Sequence, residues 1–210
     1  MIKLLGIPLI IFAGLYGYFR GKSEKWALLW KALATSMAVL TGVYGALQNS
    51  ESSNWLICVG LLFCMAADVL LEIRFRMGMI VFGAGHLSFI AAYWSRCTLS
   101  WLTIFVFAGI YAGIFVMFRK ELSNLGDLKN AAFVYMALLG MMVSLAATSV
   151  WEVGLPWTRC TLAGGVCFLV SDVMIAWRTV KKKSSIGYDA TLLVLYYAAV
   201  YLIAYSVVVG

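Results

Sequence analysis

The chain has 210 residues, 64% of them hydrophobic and only 12% charged. Its mean hydropathy of +0.95 excludes an ordinary soluble globular domain. The formal net charge of +7 points to a membrane topology rather than to a nucleic-acid partner, because the basic residues gather between apolar stretches.

Those stretches run over 2–19, 27–47, 55–73, 79–95, 97–118, 131–150, 160–177 and 190–209. Each approaches the roughly 17–25 residues a helix needs to cross the hydrocarbon. The fold class read from them is all-α: an integral membrane bundle of eight transmembrane helices forming one domain over 1–210. The first stretch is too long for a signal-peptide core and is followed by Gly17-Tyr18-Phe19-Arg20 rather than a small-residue cleavage site, so it counts as helix one. Pro8 is expected to kink that helix and Pro156 to sit in a short outer loop. Trp26, Trp55, Trp101, Trp151 and Trp157 read as interfacial belts. The five cysteines (Cys58, Cys64, Cys97, Cys160, Cys167) lack metal-ligand spacing and read as small packing residues.

The loops after the odd-numbered helices carry Arg20, Lys22, Lys25, Arg74, Arg76, Arg119, Lys120, Lys129, Arg178, Lys181, Lys182 and Lys183. The opposite side has Lys3, Arg96 and Arg159. By the positive-inside rule the odd loops are cytoplasmic and both termini outside, with the protein multi-pass in the plasma (inner) membrane.

Two aspartates stand inside these stretches in near-copies of one phrase. They are Ala67-Asp68-Val69, with Arg74 six residues after the acid, and Ser171-Asp172-Val173, with Arg178 six after. A charged carboxylate at membrane depth costs about 2.5–3.5 kcal/mol on insertion scales, so it defaults to a functional reading. The phrases fall on helices three and seven, which run in the same direction. That suggests two parallel four-helix repeats, with possible halves 1–95 and 97–210.

Further polar groups gather at similar depth. Lys31 lies about one turn into helix two, Glu72 follows Asp68 at i+4, His86 sits about two turns into helix four, Ser171 precedes Asp172, and helix eight opens at Asp189 with Tyr196 and Tyr197 two turns deeper. Each has a plainer reading. Glu72 suits an interface ion pair with Arg74 and Arg76; Lys31 suits a snorkelling ammonium; His86 suits a bond to a carbonyl; Asp189 suits a helix N-cap. For Asp68 the plain reading is a salt bridge to Lys31. No metal set, nucleophile elbow or intramembrane aspartyl-protease phrase is present.

These residues resemble the YhhN family of lysoplasmalogenase-like membrane proteins, from helix two onward. Leu61 to Leu71, containing Asp68, is similar to its "LLxSLLGDxLL" block, with Ala67 in place of the usual Gly. His86-Leu87-Ser88-Phe89 resembles its "His-x-x-Tyr" block, and Cys167 to Asp172 its "LFxxSD" block, the most specific match. Tyr196-Tyr197-Ala198 resembles its "Tyr-x-Ala" motif, and Lys31 stands where a Lys-Pro pair is usual. Ala32 replaces that proline, and Val200 takes the place of a polar Gln or His.

The resemblance implies an ether hydrolase that cleaves the vinyl ether bond of a single-chain ether phospholipid, a lysoplasmalogen, to a fatty aldehyde and a glycerophospho-base, with no cofactor. Vinyl ethers hydrolyse by protonation at the β-carbon, and water captures the resulting oxocarbenium ion. A protonated carboxyl and a second carboxylate suit this chemistry, the division of labour seen in glycosidases. Asp68 and Asp172 are the catalytic candidates, expected to face one shared cavity near the cytoplasmic side with Lys31 and Tyr196 on its wall. Lys31 and arginines such as Arg74 are expected to hold the phosphate. The rival class is a proton-coupled carrier or lipid flippase using the same acids. The topology is directly testable: a reporter active only in the cytoplasm, fused to Gly210, is expected to stay silent, and a bright fusion would reverse the orientation.

Overall fold

The computed structural model describes residues 5–121, 129–181 and 185–210. They form eight helices: α1 (Gly6–Phe19), α2 (Glu24–Gln48), α3 (Ser52–Ile73), α4 (Phe75–Trp94), α5 (Trp101–Phe118), α6 (Lys129–Glu152), α7 (Pro156–Lys181) and α8 (Ile186–Val208). No strand occurs among the described residues. Helices α2 to α8 are long and apolar enough to cross a membrane, while α1 is an apolar helix of 14 residues. Lys3, Lys182 and Lys183 of the basic-residue pattern lie outside the described residues.

Both prolines fall at helix starts. Pro8 is in the first turn of α1 and Pro156 is the first residue of α7, rather than a kink and a loop residue. The first-turn N–H groups have no intrahelical acceptor, so proline costs nothing there.

The helices alternate in direction, with α1 against α2, α2 against α3, and α3 against α4; α5 against α6, α6 against α7, and α7 against α8 repeat that order. The packings of α2 with α8 and of α4 with α6 exchange with each other when α1–α4 is matched to α5–α8, and α8 also packs against α3 and α1. Between α2 and α6 and between α3 and α7 the match has a register of 104 residues. It pairs the helix starts Ser52 and Pro156, the aspartates Asp68 and Asp172, and the arginines Arg74 and Arg178.

Close packing obeys the same register. A Cβ at Gly60 would lie 2.4 Å from the Phe89 ring of α4, and one at Gly164 would lie 2.8 Å from Ile203 of α8. Equivalent glycines thus seat the following helix in both halves, as expected where apolar solvent provides no hydrophobic drive and close contact must supply the attraction. The α3–α4 connection is the single residue Arg74, and Gly78 lets α4 approach the backbone of Leu71. That tight turn starts α4 at Phe75, four residues before the apolar stretch read from the sequence. His86 therefore lies about three turns into its helix, near the middle of α4, rather than two.

The end opposite the basic loops is fastened by Arg96. Its guanidinium donates to Ser53 Oγ (2.7 Å), Asn54 Oδ1 (2.7 Å) and Glu51 (3.0 Å) and lies over the Trp157 ring. Trp157 is accordingly buried rather than part of a belt, whereas Trp26, Trp55, Trp101 and Trp151 are exposed. All five cysteines are free thiols, and Cys58, Cys64 and Cys97 are buried.

Candidate active site

Asp68 is buried five residues before the end of α3, and two other helices, α2 and α8, supply its partners. Thr35 Oγ1 donates to its Oδ2 at 2.5 Å, Tyr196 OH donates to the same oxygen at 2.7 Å, and Lys31 Nζ stands 3.8 Å from Oδ1. Lys31 also donates to Glu72 Oε1 at 3.0 Å, and Tyr16 OH donates to that atom at 3.0 Å. The register explains the convergence. Lys31 and Thr35 are one turn apart on α2, as are Asp68 and Glu72 on α3, so facing stripes meet over two turns. Lys31 is a buried pair-former, not a snorkelling cation. Glu72 turns toward Lys31 and Tyr16 instead of standing apart from the site as an interface residue.

All of these groups except Thr35 line a cavity of about 120 Å³, whose other polar residues are Arg20 and Arg178. Its apolar wall includes Leu71, Phe75, Phe82 and Ile175. The same four residues line a second cavity of about 130 Å³ between α4, α5, α6 and α7. Asp172 belongs to this second cavity, with Tyr135 and otherwise almost wholly apolar side chains. Tyr135 OH donates to Asp172 Oδ2, and Ser171 Oγ lies 3.4 Å from Oδ1. The two aspartates therefore line adjoining cavities with a common wall, not the one shared cavity expected from the sequence. The cause lies on that wall: Phe82 packs edge-on against both Phe168 and Tyr196, filling the space between α4, α7 and α8.

The remaining candidates sort as follows. Ser171 bonds back to the Phe168 carbonyl at 2.9 Å. His86 Nδ1 lies 2.8 Å from the Phe82 carbonyl oxygen, while its buried Nε2 has no hydrogen-bond partner among the described residues. The imidazole packs against the Tyr135 ring, so it supports Asp172's partner from behind and lines neither cavity. Tyr197 is buried, with its hydroxyl unpartnered among the described residues. Asp189 is not an N-cap: Ser185 caps α8, accepting from Tyr188 N–H, and Asp189 a turn later pairs with Arg178 (3.0 Å) and Arg20 (3.5 Å). Arg74 lies at the α3–α4 turn and lines neither cavity. Val200 is fully buried in the core.

Tyr16, Thr35 and Tyr135 line or support the site without having been singled out in the sequence, and Arg20 and Arg178 were read there as loop cations rather than site residues. A signal for one was present, since Tyr135 follows Lys31 by the same 104 residues that separate the aspartates.

A family model described as the YhhN family matches residues 26–207. The chain belongs to the YhhN family. The match takes in every element that contributes to the two cavities except α1, which supplies Tyr16 and Arg20. No curated protein and no solved structure matches the chain. Family membership and the seven membrane-length helices make it a multi-pass membrane protein of YhhN type.

The pairing at Asp68 predicts a measurable coupling. Removing one partner of a buried ion pair costs about 3–5 kcal/mol, because the other charge is stranded. Lys31→Met is expected to lower thermal stability in detergent sharply, and adding Asp68→Asn is expected to restore a substantial part of it. Additive losses in the thermal melts would show that Lys31 and Asp68 do not form a unit.

Proposed function

We propose that this YhhN-family chain is a hydrolase that cleaves the vinyl ether bond of lysoplasmalogens, releasing a fatty aldehyde and a glycerophospho-base. The observation that carries the reading is the pair of adjoining cavities, one charged and one apolar, each with its own aspartate. A lysoplasmalogen has the same order of polarity: phosphate, glycerol, ether oxygen, vinyl carbons, hydrocarbon chain. With the headgroup in the Asp68 cavity and the chain in the Asp172 cavity, the vinyl ether falls at the common wall of Leu71, Phe75, Phe82 and Ile175.

The chemistry then assigns the carboxyls. The carbon that takes the proton is on the chain side of the ether, and Asp172 is the acid on that side. Proton transfer from the Asp172 carboxyl to this β-carbon breaks the vinyl π bond and leaves an oxocarbenium ion shared by the α-carbon and the ether oxygen. Asp68, already accepting two hydroxyl donors beside Lys31, has the surroundings of an ionised carboxylate and faces this charge. Water adds to the α-carbon and gives its extra proton to a carboxylate, which balances the proton donated. The hemiacetal collapses to aldehyde and alcohol without further change in oxidation state. Tyr135 and Tyr196 hold the two carboxyls in position.

The same reading treats the chain as two fused four-helix halves, 1–95 and 97–210. It places the charged cavity in the cytoplasmic leaflet of the plasma membrane on the strength of the basic loops. A sideways approach from the membrane suits a single-chain lipid. The Arg96 cluster at the opposite end favours access from one side, which a carrier could not use.

The test is purified protein in detergent with a defined lysoplasmalogen, scoring aldehyde. A carrier needs two compartments and would leave the lipid intact. A general acid contributes about 10²–10⁴-fold, so Asp68→Asn and Asp172→Asn are each expected to lose at least about 100-fold while still inserting. Glu72→Gln, half-exposed, is expected to lose far less, and the double aspartate variant is expected to be little worse than the worse single. Retention of more than about a third of wild-type turnover by either single variant would return that aspartate to a structural role.

A further inference from the structure

The cations at the mouth of the charged cavity are not explained by pairing at its floor. Five charged side chains line that cavity: Arg20, Lys31 and Arg178 against Asp68 and Glu72. Lys31 is committed, with Glu72 at 3.0 Å and Asp68 at 3.8 Å and its side chain only 9% exposed. Arg20 and Arg178 stand higher, with side chains 34% and 28% exposed.

They come from distant parts of the chain. Arg20 caps the end of α1 and Arg178 lies in the last turn of α7. Asp189, in the first turn of α8, binds both through separate oxygens, Oδ2 to Arg20 Nη1 and Oδ1 to Arg178 Nη1. One carboxylate between two guanidiniums leaves a net positive charge and holds the two forks side by side. Each fork has further N–H donors, and guanidinium geometry matches phosphate oxygens in a bidentate way. On α7, Arg178 is six residues beyond Asp172, a rise of about 9 Å. That offset is the length scale between a reacting vinyl ether and a phosphate on the far side of glycerol.

We propose that Arg20 and Arg178 form a phosphate seat for the headgroup of a single-chain phospholipid, with Asp189 as the residue that positions them. The choice of a lipid phosphate rests on the lysoplasmalogenase-like reading. The seat replaces Arg74, which lines neither cavity. It makes the phosphodiester, rather than the choline or ethanolamine group beyond it, the recognised part of the headgroup.

The experiment is equilibrium binding of a radiolabelled 1-O-alkyl lysophosphocholine to the purified full chain in detergent. This ligand has no vinyl ether, so binding is read without turnover. Failure of aldehyde release would sink the hydrolase reading without touching this result. A 1-O-alkylglycerol of the same chain length serves as the phosphate-free ligand, with glycerophosphocholine and inorganic phosphate as competitors. Arg20→Gln and Arg178→Gln are each expected to weaken lysophosphocholine binding about tenfold, near 1.4 kcal/mol, and to leave alkylglycerol binding unchanged. Arg178→Lys, which keeps the charge but loses the fork, is expected to bind more weakly than wild type and more tightly than Arg178→Gln. Arg159→Gln, exposed at the other end of α7, removes equal charge and is expected to have no effect. Glycerophosphocholine is expected to displace the ligand at lower concentration than inorganic phosphate, which identifies a lipid headgroup. Competition by inorganic phosphate at the lower concentration would overturn the lipid assignment. Wild-type protein that fails to bind, Gln variants that bind like wild type, or equal weakening toward both ligands would each overturn the seat.

Discussion

A carboxylate inside hydrocarbon is the constraint around which this molecule is organised. Asp68 lies in a helix of membrane-crossing length and is almost wholly buried. An ion there survives only when a counter-charge and hydrogen-bond donors replace its lost water. Lys31 and Thr35 from α2 and Tyr196 from α8 meet that need, so three helices must meet at one depth. Equivalent glycines on α3 and α7 let the next helix close in, and the single-residue turn at Arg74 fixes the height of α4 beside Asp68.

The α2–α3 and α6–α7 pairs answer that constraint differently. In the first, Asp68 faces Lys31 and Thr35, with Glu72 one turn on. At the places 104 residues on, α6 and α7 have Asp172 with Tyr135, Leu139 and Ala176. A shared frame thus carries a charged site and, beside it, an apolar one whose acid meets a phenol instead of an ammonium. This divergence makes one of the adjoining cavities charged and the other almost wholly apolar.

Much of this was legible in the sequence, and the limits were physical. Long apolar runs and clustered cations reveal helices in a membrane because the bilayer sets their length and loop charge. Asp68, Asp172, Lys31 and Tyr196 stood out because ionisable or hydrogen-bonding groups at that depth are costly. Depth along each helix was less secure. The start of α4 at Phe75 was hidden by Arg74 and Arg76, which read as loop residues, and this displaced His86 by a turn. The sequence also placed both acids at one level without showing that Phe82 fills the space between their helices. Tyr135 and Thr35 escaped notice because tyrosine and threonine are ordinary in membrane helices. Only the 104-residue register marks Tyr135 as the counterpart of Lys31.

The central claim is carbon protonation of a vinyl ether by a carboxyl held in the bundle. It is tested most directly by hydrolysing a defined lysoplasmalogen in heavy water with detergent-solubilised protein. The released aldehyde is trapped at once as a hydrazone and analysed by mass spectrometry. The account predicts one deuterium on the carbon next to the carbonyl in each product molecule, with slower turnover than in ordinary water. An aldehyde formed without that deuterium, or an intact lipid, would contradict it.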